Sequence, residues 1–312
     1  MKILLKRTFF KSLTVCALLI TSVAAAFSQQ PDPDVMAMMP EIPATLTKPE
    51  DRAKYLVMHY WDKFDFSELQ PLMKDNLLER CFVDYLEVLS YVSAADKELS
   101  ISGLLKKAEA KYLSFNKIMT FSEHYLYEYG SPIADEETFI PFLEYAVKSS
   151  ALDENDKIRF RFLLRNTLNN RIGSVANDFT YTLLNEETGT LHGIGTDYTI
   201  LFFKDPDCSE CYKLTKQLIV SPVINNLLKQ GKITILTIYE GNELDAWKAH
   251  ASDVLNSWIY ARDEDETING TGIYDLKSFP TLYLLDKEKK VLLKDTTFEK
   301  TEEYLRRQQT NN

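Results

Sequence analysis

Cys208-Ser209-Glu210-Cys211 lies where an apolar strand, 198–203, passes through Lys204-Asp205-Pro206-Asp207 into a helical stretch opening at Tyr212. A thiol at a helix start feels the unpaired N–H groups and the positive end of the peptide dipole, and both favour thiolate over thiol. Two intervening residues put the second sulfur within disulfide reach. Further along, Ser278-Phe279-Pro280-Thr281 opens a second apolar strand over 281–286. The pair therefore reads as a redox motif, against the plainer readings of a structural disulfide or an activity lost on a retained fold. Zinc would require a second close pair of ligands, and the spacing offers none.

At 312 residues the chain exceeds the usual size of one core, so two domains are expected. Its first residues differ from the rest. Lys2, Lys6, Arg7 and Lys11 precede an apolar run that ends in Ala24-Ala25-Ala26, the pattern of a secretory signal peptide over 1–28. An uncleaved membrane anchor is the alternative. Cys16 sits inside the apolar run rather than at its end and is read as part of the leader, not as a lipidation site. A linker is expected over 29–43, with an unstructured start. The formal charge of −10 becomes more negative once four basic residues leave with the leader. Such a surface repels phosphate backbones, which argues against nucleic acid as a partner. Cys81, Cys208 and Cys211 remain, too few for a disulfide scaffold, and export puts them where disulfides persist.

Residues 44–172 read as an all-α domain. Thr47-Lys48-Pro49-Glu50 has the form of a capping box opening a helix through Trp61. Apolar residues recur at helical spacing over 75–92, with Cys81 on the stripe and hence expected to be packed rather than reactive. Further helices are expected over 104–113, 115–129, 138–148 and 155–169. The period changes at Gly173. A hairpin is expected over 179–194, then a strand at 198–203, a helix over 208–229 and a strand over 232–239, a βαβ order implying a parallel crossover. A short helix at 243–251, a strand at 256–261, a helical turn at 272–276, a hairpin over 281–294 and a helix at 301–308 complete the reading. His59, His124, His192 and His250 are scattered and read as surface or core residues, not ligands or bases. The aromatic run 124–129 reads as packing.

The Cys208–Cys211 motif, the Phe279-Pro280 strand start and the element order together resemble the thioredoxin superfamily, most nearly its exported TlpA/ResA-type thiol-disulfide oxidoreductases. Asp178-Phe179-Thr180 matches the hairpin that precedes the cysteine strand in that group. The resemblance spans 173–309, and the segment 42–65 resembles an uncharacterised helical module found ahead of thioredoxin-like domains in secreted bacterial proteins. It implies an α/β thioredoxin-like domain over 173–312, a mixed central sheet flanked by helices, behind the helical domain. It also implies that Cys208 attacks, Cys211 resolves, a cis Pro280 stands against the sulfurs and Phe279 offers backbone to substrate. Asp207 stands where the family carries tryptophan, so it joins the substrate-facing residues. Family members bury a carboxylate beneath the second cysteine, where this chain has Phe202 and Leu214. Glu210 is then a candidate for proton transfer.

The expected function is an exported, periplasmic thiol-disulfide oxidoreductase acting on protein thiols and disulfides, in the reducing direction because Asp205, Asp207 and Glu210 oppose the thiolate. The competing reading is a non-catalytic peptide-binding or scaffold protein on the same fold. No cofactor beyond the Cys208–Cys211 disulfide and no metal is expected. The redox partner is unidentified, and the mature chain is expected to be soluble.

Overall fold

The computed structural model describes residues 32–310 other than 69, 71, 72 and 242. The leader expected over 1–28 lies outside the described residues. The chain divides into two compact units after Arg161.

The first unit is helical. It opens with α1, Pro33–Met38, where an unstructured segment is expected. Asp32 caps this helix by accepting the amides of Asp34 and Val35, and Arg80 grips Asp32 and Asp34 together. Lys63 donates to the Ala37 and Met39 carbonyls at 3.0 and 2.6 Å, satisfying its other end. These partners lie far along the chain, which is why a proline-rich, acidic stretch reads locally as coil. In α2, Pro49–His59, the expected capping box does not form. The N-cap is Lys48, with no side-chain cap, and Pro49 alone starts the helix.

Next, α3 spans Leu77–Leu89 and begins two residues later than expected, because Asp75 and Asn76 both take left-handed φ, 51° and 57°. It buries Leu78, Cys81, Phe82, Tyr85 and Leu89. Then α4, Ala94–Ala108, starts well before the expected 104, because Ser93 caps it by accepting the amide of Asp96 at 3.2 Å. It is followed by α5, Tyr112–Leu126, α6, Glu136–Lys148, and α7, Glu154–Leu168. Aromatic rings centre the unit. Phe82 lies 5.7 Å from Phe121 and 6.0 Å from Phe142, and Trp61 lies 5.2 Å from Tyr85. In the run 124–129, Tyr125 and Tyr127 are buried and Tyr129 is exposed.

The second unit is a mixed sheet. Its seven strands among the described residues are β1 Thr180–Leu183, β2 Thr188–Thr190, β3 Tyr198–Phe203, β4 Ile233–Tyr239, β5 Ile259–Arg262, β6 Thr281–Asp286 and β7 Val291–Leu293, in the order β2-β1-β5-β4-β3-β6-β7. Strands β3, β4 and β5 run parallel, while β6 pairs antiparallel with β3, matching Phe203 with Thr281. The near-continuous apolar runs follow from burial on both faces. Ile200 and Phe202 face one core with Cys211, Leu214 and Leu218, and Leu201 and Phe203 face another with Phe179, Tyr274 and Tyr283.

The helix expected over 208–229 is two, α8 Ser209–Val220 and α9 Pro222–Lys229. Pro222 has no N–H to continue the first, and Ser221 both ends α8 and caps α9. After α10, Leu244–Ala249, the turn expected at 272–276 is replaced by an earlier helix, α11 Thr267–Thr271. The Asp263 carboxylate accepts the amides of Thr267 and Ile268 at 3.1 and 2.7 Å and so starts it. Gly272, at φ 66°, ends it. The last helix, α12, is longer than expected, Phe298–Thr310.

Candidate active site

The turn from β3 into α8 is built by its own polar groups. The Asp205 carboxylate accepts the amide of Asp207 at 2.9 Å, and the Asp205 carbonyl accepts that of Cys208 at 3.3 Å. This Asx turn delivers Cys208 to the N-cap of α8. Its sulfur accepts the amide of Cys211 at 3.1 Å, taking the place a serine or aspartate oxygen occupies at an ordinary cap. Cys208 and Cys211 are joined as a disulfide, with Cα atoms 5.2 Å apart. Cys208 is half-buried, while Cys211 is only 1% exposed. A bulky disulfide partner therefore meets Cys208 first.

Antiparallel pairing of β3 with β6 brings the start of β6 beside this turn. The Phe279–Pro280 peptide bond is cis. The Phe279 carbonyl oxygen lies 3.6 Å from the Cys208 sulfur, and that carbonyl can accept from the thiol when the pair is reduced. Phe279 itself packs against both cores of the sheet.

Asp207 is exposed beside Cys208. Glu210 also turns to solvent, where Lys213 holds it at 2.6 Å. Phe202 and Leu214 are buried in the core that holds Cys211. Two charged residues at this edge of the sheet escape the reading of the sequence. Lys204, one residue past β3, is buried with its ammonium 5.6 Å from the Tyr260 ring, and burial pushes its pKa down against the pull of Asp253. Glu240, one residue past β4, has both carboxylate oxygens buried, with no hydrogen-bond partner among the described residues. Burial and then Asp263 push it up to about 8. The signal in the sequence is slight. Each is the first charge after an apolar strand, where the alternation of faces still continues.

The remaining thiol, Cys81, is fully buried, and burial, with Asp84 second, pushes it up to about 12. The histidines keep local company. His59 meets Asp62 at 2.8 Å, His124 meets Glu128 at 2.6 Å, His250 meets Asp253 at 2.6 Å, and His192 meets the Ala176 carbonyl at 2.8 Å. Among the described residues no three His, Cys, Asp or Glu side chains gather as metal ligands, and no helix is long and apolar enough to cross a membrane.

Residues 19–170 match the family model described as a domain of unknown function, DUF5106. A thioredoxin-like protein from Bacteroides caccae ATCC 43185 is similar at 38% identity and a TM-score of 0.81, over 86% of this chain and 97% of its own. The C-terminal domain of an uncharacterized protein from Bacteroides fragilis NCTC 9343 is similar at 44% identity and a TM-score of 0.43, over 44% of this chain and 98% of its own. The thioredoxin domain of a thiol-disulfide oxidoreductase from Bacteroides vulgatus is similar at 24% identity and a TM-score of 0.38, over 44% of this chain and 96% of its own. No curated protein matches the chain.

Proposed function

The chain belongs to the thioredoxin superfamily, with a helical DUF5106 module ahead of the thioredoxin-like domain, and from that premise we propose that it is an exported thiol-disulfide oxidoreductase of the periplasm acting on protein substrates. One observation carries the reading: the half-buried Cys208 sulfur stands at a helix N-terminus, takes the Cys211 amide at 3.1 Å and faces the Phe279 carbonyl at 3.6 Å.

In the reduced protein the Cys208 thiolate attacks one sulfur of a substrate disulfide. The substrate S–S bond breaks, a Cys208–substrate disulfide forms and one substrate thiolate leaves to take a proton. Cys211 then loses its proton and attacks the Cys208 sulfur, closing the Cys208–Cys211 disulfide and releasing the second substrate thiol. Two electrons have passed to the substrate, and an external dithiol restores the pair. The backbone of Phe279, ahead of Pro280, is placed to pair with an extended substrate segment, and Asp207 lies on its approach. Glu210 is held by Lys213, so proton transfer by that residue requires the ion pair to open.

The direction proposed is reducing. The Cys211 amide and the helix end favour the Cys208 thiolate, while Asp205, Asp207 and Glu210 oppose it. A poorly stabilised thiolate raises the free energy of the reduced form, and about 30 mV corresponds to about 1.4 kcal/mol. Equilibration with glutathione or dithiothreitol should give a potential at or below about −230 mV, and a value near the about −120 mV of strong oxidants would overturn the direction.

Insulin reduction by wild type and by Cys208→Ser tests the activity itself. Turnover by the wild type and none by the variant is expected, and Cys211→Ser should trap a covalent substrate adduct. Equal, negligible rates would favour a non-catalytic peptide-binding protein, a reading that draws on the apolar Phe202 and Leu214 beneath Cys211.

A further inference from the structure

Helix α8 turns Cys211, Leu214 and Leu218 into the core, which leaves two edges of the helix facing outward. One edge is occupied. There Lys213 holds Glu210 at 2.6 Å, and Gln217 donates to Glu299 of α12 at 3.5 Å. The other edge begins at Cys208 itself. The Tyr212 amide donates to the Cys208 carbonyl at 3.1 Å, so Tyr212 stands one helical turn along from the cap, where residues four apart are neighbours. Tyr212 is 52% exposed, although the Lys216 ammonium, one turn further on, lies 4.9 Å from the centre of its ring.

A single apolar residue at a surface is ordinary. What sets Tyr212 apart is the reacting sulfur beside which the helix puts it. Cys211 is buried and Cys208 half-buried, so a substrate joins the site through a bond to the Cys208 sulfur. That bond tethers the substrate chain at the cap of α8. Consecutive Cα atoms are about 3.8 Å apart and one helical turn rises about 5.4 Å, so the residues next to the substrate cysteine are carried within reach of the Tyr212 ring.

We infer that Tyr212 sets substrate choice: its ring receives an aromatic or branched aliphatic side chain next to the substrate cysteine, and such disulfides are exchanged in preference to those flanked by glycine. The inference rests on the disulfide-exchange reading and names the substrate class of that same site. Cys208 supplies the chemistry, and Tyr212 is a positioning residue. Its contact forms as the substrate sulfur lines up with Cys208, so it lowers the barrier to attack as well as favouring the encounter. Lys216 limits the motion of the ring and covers part of it, which leaves the remainder for the substrate side chain.

Single-turnover oxidation of the pre-reduced full chain tests this. The probes are two uncharged, disulfide-linked peptide dimers in which cysteine is flanked by phenylalanines or by glycines. Each turnover closes the Cys208–Cys211 disulfide and releases two peptide thiols, which are measured in acid-quenched samples. Each rate is divided by that peptide's own rate with dithiothreitol, which removes intrinsic reactivity. The phenylalanine peptide should oxidise the wild type at least about fivefold faster than the glycine peptide. The ratio should fall to within about twofold in Tyr212→Ala and stay near the wild-type value in Tyr212→Phe, which keeps the ring. Because each ratio is internal to one protein, a general loss of activity in a variant cancels. Equal normalised rates in the wild type would overturn the selectivity, as would a preference that survives in Tyr212→Ala or vanishes in Tyr212→Phe, and all three leave disulfide exchange standing. Oxidation of the wild type by neither peptide would remove disulfide exchange itself, and the selectivity with it.

Discussion

Glu240 leaves β4 with a carboxyl that burial and Asp263 hold near 8, against the usual 4.5. Between those values the folded chain keeps a proton that the unfolded chain has released. Stability present below about 4.5 is therefore lost as pH rises through about 8, at up to about 1.4 kcal/mol per pH unit. Asp263 is raised as well and adds to the slope with the same sign. Urea midpoints at pH 5 and pH 8 should fall for wild type and fall less for Glu240→Gln, so the variant gains on wild type as pH rises. Parallel pH dependence in the two would show that the carboxyl ionises freely in the fold. The buried thiol of Cys81 gives a second residue-scale expectation. After reduction, a thiol reagent should modify Cys208 in the native protein and reach Cys81 only when urea unfolds it. Rapid modification of all three without denaturant would contradict the packing.

Ser221 joins α8 to α9 and carries more than its size suggests. Its hydroxyl accepts the amide of Ile224 at 3.2 Å and donates to Glu302 on α12 at 2.6 Å. Ser221→Ala should lower unfolding stability by about 1 to 2 kcal/mol, read from urea titration, with both helices still formed by circular dichroism. No change in midpoint would mean that Pro222 alone starts α9. The same element shows how far local rules reach. Helical periodicity runs unbroken from 209 to 229, while Pro222 sets the break that separates two helices. In the first unit the reverse holds. Ser93 marks the start of α4 locally, but the length of α1 depends on Arg80 and Lys63, which lie well beyond any local window.

At the scale of the molecule, the period changes at Gly173 and the backbone divides after Arg161, within α7. The sheet unit holds two buried cores of its own, one on each face of β3, so residues 162–312 expressed alone should unfold cooperatively in urea. A fragment without a cooperative transition would show that the sheet depends on the helical unit.

What the sequence determined by itself is the local machinery. Alternation and apolar runs set the central strands, and a strand-turn-helix with two cysteines three apart sets a sulfur at a helix start, because dihedral preferences and hydrogen-bond periods act over a few residues. The place of Phe279-Pro280 was legible only through resemblance, since nothing between Cys211 and Phe279 encodes it. Tertiary structure decided the rest. The β3–β6 ladder sets the Phe279 carbonyl against Cys208. The burial of Lys204 and Glu240 was decided at the same level, because desolvation and charge proximity depend on which distant segments return to the same place.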